Sequence, residues 1–112
     1  MHVIEVRDAE LMASITEQVA QLGIRNGAVV SLIGGVDAFT VSTMPADDAS
    51  KDIVTEYVQP AEMSGTGEIV DGVVHVHAVM AVEGDRAVSG HLHAAKVGHH
   101  FARAYVIHSD GA

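Results

Sequence analysis

The chain has 112 residues, 48% of them hydrophobic, which suffices for one core and is too little for two, so a single domain over residues 1–112 is expected. The absence of cysteine excludes disulfides, thiolate metal sites and a cysteine nucleophile, and it fits a reducing compartment. Fifteen acids against six Lys+Arg give a formal charge of −9, and Arg7, Arg25, Lys51, Arg86, Lys96 and Arg103 are scattered, so the chain lacks the phosphate-neutralising patch from which a duplex-binding protein gains most of its affinity.

Met1 to Arg7 alternates and carries Glu5, unlike a secretory leader, and the apolar runs are too short to span a bilayer, so a cytoplasmic location without membrane contact is expected. His2 to Arg7 reads as a short strand, with Asp8 as the N-cap of a following helix. Leu11, Met12, Ile15, Val19 and Leu22 recur at helical spacing and Gly23 stands where a left-handed turn would end it, which predicts one amphipathic helix over Ala9 to Leu22 with a core-facing stripe.

After Asn26-Gly27 the pattern turns to β. Ala28 to Ile33 and Val36 to Thr43 read as strands joined at Gly34-Gly35 by a two-residue hairpin connection. Met44 to Asp52 reads as a loop, and Ile53 to Val58 as a strand that Pro60 ends. Ser64-Gly65-Thr66-Gly67 lacks the lysine and helix of a phosphate-binding loop and reads as the start of a strand or a bulge before Glu68-Ile69-Val70. Asp71-Gly72 marks a turn into Val73 to Val82, Glu83-Gly84-Asp85 reverses the chain into Arg86 to Ala95, and Ala102 to His108 closes the domain. The expected fold is α+β: an antiparallel sheet of six or seven strands, mostly hairpin-connected, with one flanking helix.

Six of the eight histidines fall between positions 75 and 100. His75 and His77 are two apart, so on a strand they share a face, with Val74 and Val76 turned to the core; His91 and His93 repeat the device around Leu92. If Glu83-Gly84-Asp85 is a three-residue loop, Val82 pairs with Arg86, His77 lies opposite His91 and His75 opposite His93. A register shifted by one residue would instead separate the pairs. Two facing His-x-His pairs point to a divalent transition metal on His75, His77, His91 and His93, with zinc as the first expectation; imidazole also suits copper, nickel and iron. His99 and His100 read as loop residues after Gly98, and His2 and His108 as solvated. Glu62, Glu68 and Asp71 are candidates for a general base, and Ser64 and Ser89 have no nucleophile motif around them.

The block from Ser64 to Gly72, then Val74-His75-Val76-His77-Ala78, then Gly90-His91-Leu92 resembles the plants and prokaryotes conserved (PPC) domain family, and Leu22 to Gly34 is similar to its helix end and first sheet strand. The resemblance implies an antiparallel sheet with a flanking helix assembled as a homotrimer, and a metal site carried onto His75, His77 and His91; His93 lies outside that pattern and rests on the register argument. Ser89 replaces a glycine of the family pattern, and Ala102 and Arg103 stand where an acid is common. Plant relatives bind DNA through basic AT-hooks ahead of this domain, and these residues contain no such segment. Three functions follow as alternatives: a trimeric metal-binding module, a metal-dependent enzyme with a small-molecule ligand at the ion, or an interaction scaffold with incidental histidines.

Overall fold

Leu11, Ile15 and Val19 recur along one face of a helix, α1 (Leu11–Gln21), and all three are buried. Its start is Glu10, not Asp8: the Glu10 carboxylate accepts from the Met12 and Ala13 amides, while Asp8 takes a left-handed φ of 48° outside the helix. Satisfying orphan amides in this way contributes about 1 kcal/mol. At the other end Gly23 has φ 72°, its N–H donates to Ala20 and that of Ile24 to Val19, the paired bonds of a left-handed helix stop.

The computed structural model describes residues 1–109. Its strands are β1 (His2–Val6), β2 (Ala9–Glu10), β3 (Gly27–Val36), β4 (Ala38–Thr43), β5 (Ile53–Tyr57), β6 (Ala61–Val70), β7 (Val73–Val82), β8 (Arg86–Val97) and β9 (Ala102–His108). They form one antiparallel sheet in the order β1-β9-β3-β6-β7-β8-β4-β5, with β2 paired to β8. The α+β architecture is the expected one, but the strands number nine among the described residues, not six or seven. Two-residue β2 is too short to leave an alternating pattern, and β6 runs through the glycines of Ser64 to Gly67 that suggested a strand start.

The expected hairpin at Gly34-Gly35 is also corrected. The strand continues to Val36, and β3 pairs with β6 and β9, whereas β4 pairs with β5 and β8. Gly34 serves close approach: a Cβ there would stand 2.6 Å from the Ala102 Cα of β9. The reversal comes at Asp37, whose amide donates to the Lys96 carbonyl at 2.8 Å. In contrast, the turns at Asp71-Gly72 and Glu83-Gly84-Asp85 stand as expected, with left-handed Asp71, Gly72, Gly84 and Asp85.

One face of the sheet carries the buried residues. Val29 and Leu32 of β3, Met63 and Ile69 of β6, Val76 and Met80 of β7 and Leu92 of β8 pack with the helix stripe. A bulge between Val29 and Leu32 re-phases β3, so residues three apart both face inward. Among the described residues no helix is long and apolar enough to cross a membrane.

Candidate metal centre

Alternation along β7 turns Val76 into the core and leaves His75 and His77 on the opposite face. The two turns flanking β7 set its phase against both neighbours. Thr66 pairs with His77, His77 with His91 and Val82 with Arg86, the register expected for a three-residue loop. Beyond them Ser42 pairs with His91 and Val54 with Ser42, so Thr66, His77, His91, Ser42 and Val54 form a transverse row across five strands. Close approach of β6 sustains this row: a Cβ on Gly65 would stand 2.6 Å from the His77 carbonyl oxygen, and one on Gly67 would overlap that of His75.

His75 Nε2 and His91 Nδ1 are 3.0 Å apart, and the ligand nitrogens of His75, His77 and His91 all lie within 4.8 Å of one another. Two nitrogens held at 2.0–2.1 Å on a tetrahedral ion are about 3.3 Å apart. The first pair therefore already stands near ligand spacing, with the third nitrogen within 4.8 Å. Burial, then the neighbouring His75, His93 and His77, push the His91 pKa below the ordinary histidine value, while Asp52 opposes them. The net effect keeps the ring neutral, as a metal ligand must be.

His93 stands differently. The ladder between β7 and β8 carries no pair past His77 with His91, so the expected pairing of His75 with His93 is not formed. The two strands part there because β8 follows β4 through a bulge: Thr40 pairs with Ala94 and Val41 with Leu92, leaving His93 as the extra residue. Its ring stays 4.7 Å from that of His91, yet Nε2 meets Ser42 Oγ at 2.7 Å. It is not among the nitrogens that converge.

Ser42 and Asp52 are the two residues at this site that sequence reasoning missed. Ser42 is only 5% exposed, and His93 lies 51 positions along the chain, so no local motif announces the pair. Asp52 precedes β5 and lines an open groove of about 880 Å³ together with Ser42, Met44, His77, Val79 and His91. Glu68 is the ladder partner of His75, Glu62 that of Ala81, and Asp71 sits in the turn with its amide bonded to Asn26. His99 and His100 lie between β8 and β9, with the His99 amide bonded to Asp37, away from the trio. His2 is on the outer strand β1, and His108 is exposed at the end of β9.

The Plants and Prokaryotes Conserved (PCC) domain profile matches residues 1–109. Among curated proteins no relative matches. Several solved structures share the fold. A candidate DNA-binding protein of Ralstonia eutropha JMP134 superposes with a TM-score of 0.82 at 18% identity, covering 96% of this chain and 77% of that one. The metal-containing protein of Archaeoglobus fulgidus gives 0.73 at 18%, over 96% and 80%. The plant- and prokaryote-conserved protein of Pyrococcus horikoshii gives 0.74 at 16%, over 96% and 79%.

Proposed function

We propose, from the premise that this chain belongs to the Plants and Prokaryotes Conserved domain family, that it is a metal-binding module holding a divalent transition ion on His75, His77 and His91. The convergence of three imidazoles from two paired strands carries this reading, and the metal-containing Archaeoglobus fulgidus protein of the same fold supports it. Zinc is the first choice for an all-imidazole set, and three protein ligands leave the ion a position open toward solvent. His93, two residues beyond His91 on β8, is bonded to Ser42 and stands beside the site. The domain over residues 1–112 works as a cytoplasmic homotrimer. Trimerisation accords with the apolar side chains on the two edge strands, Val3 on β1 and Ile53 and Val54 on β5, which are exposed in the isolated chain.

The groove beside His77 and His91 favours a second reading, in which the ion acts as a Lewis acid on a bound small molecule and Asp52 supplies the nearby acid group. Direct nucleic-acid binding is opposed by the net charge of −9. Metal analysis of protein purified without a nickel column tests the main reading. One zinc per chain, lost in the His75→Ala/His77→Ala variant, is expected; metal-free protein that also takes up none from solution would sink it. Light scattering at three times the 11.7 kDa chain mass is expected for the trimer.

A further inference from the structure

The outer face of the sheet beside the histidines carries a second transverse row. Ser64 pairs with Val79 and Val79 with Ser89, and Met44 and Asp52 continue the row beyond the last pair of β4 and β5, Thr43 with Ile53. Asp52 is two residues before Val54, which shares the histidine row, so alternation puts its carboxylate on the histidine side of the sheet. Ser64, Val79, Ser89, Met44 and Asp52 line one groove together with His77 and His91.

The chemistry of the lining is uneven. Asp52 is its one formally charged side chain at neutral pH, and no lysine or arginine contributes, so the end of the groove away from the histidines is acidic. Met44 and Val79 are 62% and 46% exposed, an apolar surface that faces the open groove, and Ser64 and Ser89 offer hydroxyls beside them. From His91 on β8 to Asp52 beside β5 the path crosses two inter-strand spacings and two residues along the strand, roughly 12 Å at the backbone. The Asp52 carboxylate and the bond to the ion take up part of that span, and a chain of about five methylenes bridges the rest. A net charge of −9 adds a field that draws cations toward the surface.

We infer that the groove binds a linear ω-aminoacyl compound with its carbonyl-type oxygen toward the histidine trio, its methylenes on Met44 and Val79, and its terminal ammonium on Asp52. The inference rests on the metal reading above for the oxygen end. The ammonium end depends on Asp52 alone, which allows the two to be tested apart.

The test uses cobalt(II)-loaded full-length chain, whose visible spectrum reports a ligand arriving at the ion, titrated with 6-aminohexanohydroxamate and with hexanohydroxamate, which differ only in the ammonium. Asp52→Asn should weaken the amino probe about five-fold, the scale of one solvent-accessible ion pair, and leave the hexano probe nearly unchanged. Asp52→Lys should invert the preference toward adipic monohydroxamate, which carries a carboxylate in place of the ammonium. Equal effects of Asp52→Asn on both probes, or no inversion, overturn the aminoacyl assignment while leaving the metal centre standing. If cobalt fails to bind, or binds equally to His75→Ala/His77→Ala protein, the metal reading and this inference fall together.

Discussion

The two groups of neighbouring histidines behave differently. His75 and His77 have rings 4.8 Å apart, and His99 and His100 have rings 4.9 Å apart, so by proximity alone they are equivalent. The first pair stands on β7, whose ladder brings His91 to it from β8 and places three nitrogens around a common point. The second lies between strands, with one amide tied to Asp37, and gathers no third ligand among the described residues. What makes a site is a partner strand in register, because the ladder fixes Cβ positions that a loop leaves unrelated.

The largest test of that contrast is a pair of double variants. His75→Ala/His77→Ala removes two of the three ligands and should abolish zinc binding by calorimetry, whereas His99→Ala/His100→Ala should stay near wild type. Similar losses from both would mean that the ladder is not what builds the site.

Two glycines sharpen the comparison further. Gly67→Ala puts a methyl into the His75 carbonyl of a packed ladder and should lower stability by about 2 kcal/mol in urea titration while weakening zinc. Gly35→Ala meets the Cβ and ring of His100, away from the trio, and should change zinc binding little.

Ser42→Ala should cost about 1 kcal/mol, the net worth of one hydrogen bond, because it leaves His93 without its hydroxyl partner. Zinc affinity should fall only slightly, since His93 is outside the converging nitrogens.

The smallest effect is on pH dependence. The fold pushes the His91 pKa down from 6.5, so the unfolded chain takes up its proton first. Stability of the metal-free protein is therefore retained above that value and declines as pH falls through it toward the lowered folded value. His91→Gln should flatten this part of the melting-temperature profile, and His99→Gln should not. A profile unchanged by His91→Gln would remove the burial argument for a neutral ligand.

Local chemistry made much of this molecule legible. Turn residues at Asp71-Gly72 and Glu83 to Asp85, with strict alternation through β7 and most of β8, determined the hairpin and hence the meeting of His77 and His91, because short loops leave the chain no choice of register. The helix stripe was equally plain, since Leu11, Ile15 and Val19 repeat at its period. What only the tertiary structure decided concerns contacts between distant segments: β4 beside β8, the bulge that diverts His93 to Ser42, the passage of β3 through Gly34-Gly35, and the placing of Asp52 beside the histidines. These rest on which strands become neighbours, and a pattern of alternation says which face a residue takes without saying whose edge it meets.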